Sequence, residues 1–378
     1  MDKKVKNIDM DSKKRTEQQL QEDLFAFRGW AAKPAYRQAL EKYAENPTVM
    51  LELNSRCNFH CHYCLSPESK RQKSFMAPEL FRHLLPQLHE VTSHPIRLHL
   101  DGEPTLHPQF LELALEANAA GHRICLATNA SNLQERFLSI DMDMVVNLSC
   151  SAEELRQRTA MGFDKYIGGI ERYVSSWAAG DSQQNLIFRI YTSANERNTP
   201  GAVEAKQAFA EQFVEQVGLA AAGAWSAGEK REFSYAKAGG GMLSLAIQPL
   251  AEGGLYPNIS GLPGPEPTAV LNRGFCDSAW KVLVVMSDGT LGCCCVDLTG
   301  QTGFTDPDEI WSISLKDLWL KHPKLLKFRE DCLAGRIGLS ACQTCLGTAA
   351  NRELYIFPEL FPFPEGSESA GESKRKGE

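Results

Sequence analysis

Three cysteines lie within the stretch CNFHCHYC, at positions 57, 61 and 64. The spacing Cys57-x3-Cys61-x2-Cys64 lets one tight loop place three thiolates around a single small metal ion or cluster, and thiolates suit zinc and iron-sulfur clusters. A metal or cluster that is held by protein alone usually takes four ligands. The stretch therefore predicts either a fourth ligand elsewhere or a coordination position that is left open for a small molecule.

Two interpretations follow from this spacing. In the first, the loop is a structural zinc knuckle in which His60 or His62 supplies the fourth ligand. In the second, the loop binds three irons of a 4Fe-4S cluster and leaves one iron open, so that a substrate can bind there as it does at the open position of catalytic zinc. Taken alone, the residues of the loop are compatible with both.

The sequence around the loop alternates apolar runs with amphipathic helical patterns. At least five such β-α units follow one another, which is typical of an α/β fold with a parallel sheet and helical crossovers. The predicted strands are 48–53, 96–100, 123–128, 143–150 and 186–193, and the predicted helices include 77–91, 108–121, 163–179 and 201–218. Because sites in such sheets form at the carboxyl ends of strands, the cysteine stretch lies where a site loop is expected.

The overall composition is that of a globular protein in a reducing compartment. The chain has 378 residues, 43% hydrophobic residues and a net charge of -7, which argues against a broad nucleic-acid-binding surface. Its apolar runs are too short for a bilayer and the N-terminus has no apolar signal segment, so we expect a cytoplasmic protein without membrane contact. Twelve cysteines in that compartment indicate metal binding or catalysis rather than disulfides.

Placed after the first strand of a repeated β-α unit, the C-x3-C-x2-C stretch resembles the radical S-adenosylmethionine (SAM) superfamily. The second strand runs into LDGEPTLHP at 100–108, which is similar to the family's Gly-Gly-Glu segment followed by Pro, with Asp101 in place of the first Gly. ATNA at 127–130 is close to the family's Thr-Asn-Gly, with Ala130 for Gly, and LSCSAEELRQR at 148–158 is similar to a Ser-Leu-Asp segment. These segments occur in the order that the family shows.

This resemblance implies a partial (β/α)6 TIM-like barrel and a 4Fe-4S cluster held by Cys57, Cys61 and Cys64, with SAM on the open iron. A carboxylate accepts charge-assisted hydrogen bonds from the SAM ammonium, a guanidinium matches the SAM carboxylate, and an aromatic ring stacks on adenine. The residues that the resemblance assigns to SAM are Tyr63, Gly102, Glu103, Pro104, Asn129, Ser149 and Arg158.

A second set of cysteines lies near the C-terminus. Taken alone, two pairs of thiolates there are compatible with a structural zinc ribbon. Their spacing also resembles the SPASM or twitch extension of radical SAM enzymes, which implies one auxiliary 4Fe-4S cluster. The ligands implied for that cluster are Cys276, Cys294, Cys342 and Cys345.

Neighbouring residues leave alternatives open in this second set. On a strand, Cys293 and Cys295 would face the side opposite to Cys294, so all three cannot ligate one cluster without distortion. Cys332 competes for the place of a fourth ligand. Asp297 follows the cysteine triplet and is a candidate base near the auxiliary cluster, although capping a turn is the simpler role for it.

The pattern and the resemblance together divide the chain into five segments. Residues 1–45 are predicted to be a tail with helices, and residues 46–235 to be the radical SAM core. Residues 236–271, rich in Gly and Pro, are predicted to be a connecting loop. Residues 272–350 are predicted to be a small SPASM/twitch-like iron-sulfur domain with a β-hairpin and helices, and residues 351–378 a tail with a disordered end.

For function, the resemblance implies an enzyme. A flavodoxin or ferredoxin would deliver one electron, SAM would be cleaved to a 5′-deoxyadenosyl radical, and that radical would take hydrogen from a substrate. The implied substrates are peptides, proteins or natural-product precursors, which would be oxidised or cross-linked. The alternative within the family is a sugar- or aminoglycoside-modifying dehydrogenase. Outside the family, the alternatives are a zinc-binding interaction protein and an iron-sulfur electron carrier.

Overall fold

The computed structural model describes residues 34–61, 64, 69, 71–192, 199, 201–226, 231–249, 278–294, 300 and 302–334. The strands are β1 (Thr48–Leu51), β2 (Ile96–Arg97), β3 (Ile124–Thr128), β4 (Met142–Asn147), β5 (Asn185–Thr192), β6 (Ala224–Trp225), β7 (Arg231–Ala236), β8 (Met242–Pro249), β9 (Val282–Val285) and β10 (Leu291–Gly292). The helices are α1 (Pro34–Ala44), α2 (Pro78–Leu84), α3 (Phe110–Ala119), α4 (Ala152–Arg156), α5 (Phe163–Ala179), α6 (Ala202–Gln216), α7 (Ser278–Lys281), α8 (Glu309–Ser312), α9 (Leu315–Lys321) and α10 (Pro323–Leu333). Short 3-10 helices cover Leu85–Glu90, Pro104–Leu106 and Glu135–Ser139. Among the described residues, no helix combines the length and the apolar character that crossing a bilayer requires.

The described strands form one open sheet in the order β10-β9-β1-β2-β3-β4-β5-β8-β7-β6. Neighbours from β9 through β1 to β5 and β8 pair in parallel, whereas β10 and β7 pair antiparallel with β9 and β8. Strands β1 to β5 and then β8 follow one another in chain order. This confirms the predicted α/β fold with a partial barrel of parallel strands, and the sheet does not close.

Amphipathic helices cover the parallel strands, because a parallel pair needs a crossover connection rather than a tight turn. In α5, Tyr166, Ile170, Tyr173 and Trp177 are spaced three or four residues apart and form one buried apolar stripe. These residues belong to the same core cluster as the buried residues of the strands. The carboxyl ends of the parallel strands therefore meet at one edge of the sheet, where the loops are free to form a site.

The prediction of a connecting loop over 236–271 is wrong for its first part. Residues Met242–Pro249 form β8, which pairs in parallel with β5 and supplies the last parallel strand of the barrel. Residues 239–241 are all glycine, have φ angles of 95°, 114° and 89°, and make the turn between β7 and β8. Glycine adopts such positive φ angles without a steric penalty, so this run is a hairpin turn rather than a linker. Residues 250–271 lie outside the described part of the chain.

The predicted C-terminal hairpin and helices are present and share the main sheet. Strand β9 pairs in parallel with β1, and β10 folds back on β9 after a turn at Gly289, whose φ angle is 90°. In α9, Trp319 is buried and its indole N–H donates to the carbonyl of Ala44 in α1, at 2.8 Å. The predicted boundary at residue 272 and the two tails stay predictions, since residues 1–33, 250–277 and 335–378 are outside the described ranges.

Candidate functional site

The cysteine loop begins where β1 ends and is closed by backbone hydrogen bonds between its two ends. The N–H of Ser55 donates to the carbonyl of Ser74 at 3.0 Å, and the N–H of Met76 donates to the carbonyl of Leu53 at 2.9 Å. The loop therefore leaves and re-enters the same edge of the sheet, the one where the carboxyl ends of the parallel strands meet. This is the placement that the sequence predicted.

The three cysteines of this loop are half-buried. The N–H of Cys64 donates to the carbonyl of Cys61 at 3.0 Å, and the thiol of Cys57 accepts from the N–H of Phe59 at 3.4 Å. Burial raises the pKa of Cys57 to about 12, and the nearby thiols of Cys61 and Cys64 add to this rise. The thiols of Cys61 and Cys64 therefore lie near that of Cys57. Tyr63 is outside the described residues.

The described residues do not form a closed metal-binding set by themselves. No group of three or more His, Cys, Asp or Glu side chains in the described part of the chain has the arrangement of a metal site. His60, a ligand in the zinc interpretation, has an exposed side chain, and its backbone N–H donates to the carbonyl of Arg158 at 2.6 Å. His62 lies outside the described residues, so the zinc interpretation remains an alternative.

Gly102 packs directly on the backbone where the cysteine loop starts. Its φ angle is +73°, and a β-carbon there would lie 2.5 Å from the carbonyl oxygen of Asn54 and 2.6 Å from that of Arg56. The N–H of Glu103 donates to the same Arg56 carbonyl at 2.8 Å, and the side chain of Asn54 donates to the carbonyl of Glu103 at 2.7 Å. Only glycine permits this approach, which joins the turn after β2 to the cysteine loop.

The carboxylate of Glu103 is buried and already engaged. One oxygen accepts from the backbone N–H of Thr105 at 3.1 Å, from its hydroxyl at 2.6 Å and from the hydroxyl of Thr128 at 2.7 Å. The other oxygen accepts from the N–H of Asn129 at 2.7 Å. Burial raises the pKa of Glu103, although these donors favour the ionised form. The carboxylate thus caps the 3-10 helix that starts at Pro104 and ties it to the end of β3.

Asn129 connects the end of β3 with the cysteine loop. Its side-chain amide donates to the side-chain oxygen of Asn58 at 3.0 Å and points at the sulfur of Cys57 at 3.7 Å. The next residue, Ala130, has a φ angle of +62°, in the left-handed region that favours glycine. This conformation gives a physical reason for the glycine in the family's Thr-Asn-Gly segment, which the sequence of this chain replaces by alanine.

Arg158 lies in the site rather than on a solvent-facing helix surface. Its side chain is buried, and its Nε donates to the sulfur of Cys61 at 3.2 Å. Its Nη1 donates to the hydroxyl of Ser149 at 2.5 Å and to the carbonyl of Asn147 at 3.0 Å. Ser149 and Arg158, two of the residues that the resemblance assigned to SAM, are therefore brought together, and Arg158 is in contact with a cysteine of the loop.

A buried ionic cluster beneath the loop was not predicted from the sequence. Asp101 is buried, forms an ion pair with Lys73 and lies 3.7 Å from the guanidinium of Arg71. Arg71 also forms a bidentate pair with Glu52, whose carboxylate accepts from the N–H of Ser287 at 2.9 Å. The signal that could have revealed it is Asp101 itself, because a carboxylate buried in place of glycine needs a positive partner.

The described cysteines of the second set face different environments. Cys293 and Cys332 are buried, whereas Cys294 is half-buried. Burial lowers the pKa of Arg329 to about 10, and its electrostatic interactions with Cys293 and Cys332 oppose this shift, so both thiols lie near that guanidinium. The remaining predicted members, Cys276, Cys295, Asp297, Cys342 and Cys345, lie outside the described residues, and the auxiliary ligand set stays a prediction.

One family match covers the segment that builds this site. Residues 51–176 match the Radical SAM superfamily. The family implies a 4Fe-4S cluster and SAM as cofactors, and its members are enzymes. The matched segment contains the cysteine loop, the Gly102–Glu103 turn, Asn129 and Arg158.

Two curated relatives match part of the chain. A tungsten-containing aldehyde ferredoxin oxidoreductase cofactor-modifying protein of Pyrococcus furiosus is 29% identical over 106 residues, which are 26% of this chain and 28% of that protein. A GTP 3′,8-cyclase of Haemophilus influenzae is 30% identical over 136 residues, which are 33% of this chain and 40% of that enzyme. The chain thus spans less than half the length of each of these relatives.

Solved structures with a similar fold cover more of the chain. SuiB of Streptococcus suis, bound to the precursor peptide SuiA, aligns with a TM-score of 0.48 at 11% identity over 84% of this chain and 76% of that chain. BtrN, in complex with AdoMet and 2-DOIA, aligns with a TM-score of 0.45 at 17% identity over 79% of this chain and 92% of that chain. These similarities concern the fold.

Proposed function

We propose that the chain cleaves SAM reductively at a 4Fe-4S cluster held by Cys57, Cys61 and Cys64. The observation that carries this proposal is the convergence on one loop: the Gly102 turn packs on its backbone, and Arg158 donates a hydrogen bond to one of its sulfurs. When bound, the cluster and SAM supply a 5′-deoxyadenosyl radical that removes hydrogen from a substrate C–H bond.

The donor set fits such a cluster. Thiolate sulfurs in iron-sulfur proteins accept hydrogen bonds from nearby N–H groups. Here the N–H of Phe59 donates to Cys57 and the guanidinium of Arg158 donates to Cys61.

The residues proposed for SAM divide into two groups. The backbone of Gly102 to Pro104 would face the methionine ammonium, with the Glu103 carboxylate holding that backbone in place through Thr105, Thr128 and Asn129. The ring of Tyr63 would stack on adenine, while Ser149 and Arg158 would lie near the methionine carboxylate. The roles of the side chains are thus to orient SAM and to exclude water from it.

The substrate, the auxiliary cluster and the electron donor follow from the resemblance of the C-terminal cysteines to SPASM/twitch extensions. We propose a peptide, protein or natural-product precursor that is oxidised or cross-linked, with a sugar or aminoglycoside as the alternative. An auxiliary 4Fe-4S cluster would be held by Cys276, Cys294, Cys342 and Cys345, and Asp297 is a candidate base near it. A flavodoxin or ferredoxin would deliver the electron.

The decisive experiment is anaerobic reconstitution with iron and sulfide, followed by reduction with dithionite, addition of SAM and assay of 5′-deoxyadenosine. We expect about eight irons per chain, as two four-iron clusters require, together with 5′-deoxyadenosine. Cys61→Ala should abolish SAM cleavage, whereas Cys125→Ala, a matched change of a half-buried cysteine in β3, should retain it. Cys342→Ala should lose the auxiliary irons and still cleave SAM.

Three outcomes would contradict this proposal. Zinc in place of iron would favour the zinc-binding interaction protein. Iron-sulfur clusters without 5′-deoxyadenosine would favour an electron carrier. Formation of 5′-deoxyadenosine by Cys61→Ala would show that the cleaving cluster is not held by this loop.

A further inference from the structure

Arg158 is fixed against Cys61 by contacts on two sides of its guanidinium. Only 3% of Arg158 is exposed, and its Nε donates to the Cys61 sulfur at 3.2 Å. Its Nη1 is held by the Ser149 hydroxyl at 2.5 Å and by the carbonyl of Asn147 at 3.0 Å. The planar fork of an arginine makes both sets of contacts at once, which the single ammonium of a lysine cannot do.

The rest of the residue adds to this placement. The Arg158 guanidinium carbon lies 5.3 Å from the centroid of the Phe59 ring, and the Arg158 carbonyl accepts from the N–H of His60 at 2.6 Å. Phe59 and His60 directly precede Cys61, so Arg158 contacts the residues before that cysteine as well as its sulfur. An arginine stays protonated at all ordinary pH values, so a full positive charge is held beside this sulfur.

We propose that Arg158 is a positioning residue that fixes Cys61 and makes the iron-sulfur cluster at this loop easier to reduce. This inference rests on the proposed function, because it needs a cluster on Cys61. Hydrogen bonds to a cluster's sulfurs and nearby positive charge are two of the factors that set its reduction potential. One electron enters the cluster from the donor and no proton is needed, so a fixed cation stabilises the reduced form more than the oxidised form.

This role differs from recognition of the SAM carboxylate, which the sequence alone assigned to Arg158. A residue that only binds SAM has no effect on a cluster measured without SAM. The contacts of Arg158 with Cys61 and Ser149 join residues of the chain itself, so the effect on the reduction potential should not depend on SAM. The two roles are therefore separated by measuring the reduction potential before SAM is added.

The test is a redox titration of the reconstituted chain without SAM, followed by electron paramagnetic resonance. The auxiliary cysteines are replaced by alanine in every protein, so that only the loop cluster contributes to the signal. Arg158→Gln and Arg158→Lys are compared with Arg172→Gln, which removes an exposed arginine on α5. At a fixed potential, Arg158→Gln should lower the ratio of reduced to oxidised cluster about tenfold or more, because a buried charge near the cluster is lost.

Each outcome bears on the proposal. Arg158→Lys keeps the charge but loses the fork, so it should lower the ratio by a smaller factor, and Arg172→Gln should leave it unchanged. Equal midpoint potentials in wild type and Arg158→Gln, with weaker SAM binding in the variant, would overturn the proposal in favour of carboxylate recognition. If Arg172→Gln shifts the midpoint potential as much as Arg158→Gln does, the effect comes from the overall charge of the protein, and the proposal is overturned.

Loss of iron uptake is also informative. If both Arg158 variants keep wild-type thermal unfolding but take up no iron, while Arg172→Gln loads normally, Cys61 depends on Arg158 for its position and the positioning role is supported. If Arg158→Gln takes up no iron but Arg158→Lys does, the reduction potential of the cluster in Arg158→Lys is compared with that of wild type. Equal midpoint potentials in these two proteins would overturn the proposal. A wild-type chain that binds no iron-sulfur cluster would instead refute the proposed function.

Discussion

The carboxylate of Glu103 accepts a 2.7 Å hydrogen bond from the backbone N–H of Asn129, which joins the turn after β2 to the end of β3. The hydroxyl of Thr128 donates to the same carboxylate at 2.7 Å. Two neighbouring strands therefore end in one shared hydrogen-bond network around a buried carboxyl group. Because Asn129 also contacts the cysteine loop through Asn58, this network fixes the position of the loop relative to the sheet.

Glu103→Gln should destabilise the chain by about 1–3 kcal/mol, because the glutamine NH2 group cannot accept and leaves a buried donor without a partner. We expect a matching loss of SAM affinity, since the turn from Gly102 to Pro104 loses its anchor. Urea unfolding and SAM binding measure the two effects. Glu90→Gln, which changes an exposed glutamate, serves as the control. A Glu103→Gln protein as stable as wild type would show that the network does not hold the turn.

Gly102→Ala adds only one methyl group, but it should destabilise the folded chain strongly. The φ angle of +73° disfavours alanine, and the new methyl group would lie 2.5 Å from the carbonyl oxygen of Asn54. Together the left-handed conformation and the overlap should cost about 2–4 kcal/mol and displace the cysteine loop. Thermal unfolding and iron uptake after reconstitution are the measurements.

The matched control for this change is Ala130→Gly. Ala130 has a φ angle of +62°, so glycine removes strain in the folded state while it adds conformational freedom to the unfolded state. These effects oppose each other, and we expect the free energy of unfolding to change by less than about 1 kcal/mol. Tolerance of alanine at position 102 would contradict the close approach of the turn to the loop.

The sequence predicts structure well where one residue type is needed for a local reason, such as metal binding or an unusual backbone conformation. Three cysteines after the first strand, and a Gly-Glu-Pro turn after the second, report chemistry and backbone geometry directly, and the structure places them at one edge of the sheet. Strand β8 was missed because the glycines before it resemble a linker, and its role depends on pairing with the distant β5. Local composition carries no information about such a long-range pairing.

Side-chain partners were harder to predict for the same reason. Arg158 was assigned to SAM from its place in a segment, but its contact with Cys61 joins residues far apart in the sequence. The ion pair of Asp101 with Lys73 likewise depends on how the two ends of the cysteine loop close. Segment patterns predict which residues reach the site, and the fold decides what each of them contacts.

Asp101→Gly should destabilise the chain although it restores the residue that the family has at this position. Asp101 pairs with Lys73 and lies 3.7 Å from Arg71, so its removal takes a buried negative charge away from two positive side chains. Breaking a buried pair in this way costs about 3–5 kcal/mol, and the partial exposure of Lys73 should bring the loss to about 2–3 kcal/mol. Chemical denaturation gives the value.

A second change tests the cause of that loss. Lys73→Met in the Asp101→Gly background removes the positive charge that Asp101 balances, so we expect part of the stability to return. Arg71 keeps its bidentate pair with Glu52 in both proteins and provides a constant background. If the double variant is less stable than Asp101→Gly, charge pairing is not what Asp101 contributes.

Acid should weaken the fold through His99, at the end of β2. Its Nδ1 accepts from the N–H of Ala127 at 3.0 Å, and burial, with help from the charge of Arg97, lowers the pKa of His99 from 6.5 to about 4. The folded chain therefore keeps His99 neutral at pH values where the unfolded chain protonates it. The contribution of His99 to the free energy of unfolding is fully present above pH 6.5. It is lost as the pH drops from 6.5 towards 4, and the loss amounts to up to about 3 kcal/mol.

His99→Gln separates this contribution from those of other acid-sensitive groups. The glutamine oxygen can accept from the N–H of Ala127 but does not titrate, so the free energy of unfolding should fall less steeply between pH 6.5 and 4 than in wild type. Urea unfolding at several pH values measures both slopes, and His94→Gln, which changes an exposed histidine, serves as the control substitution. Parallel curves for wild type and His99→Gln would mean that His99 is not held neutral by its surroundings.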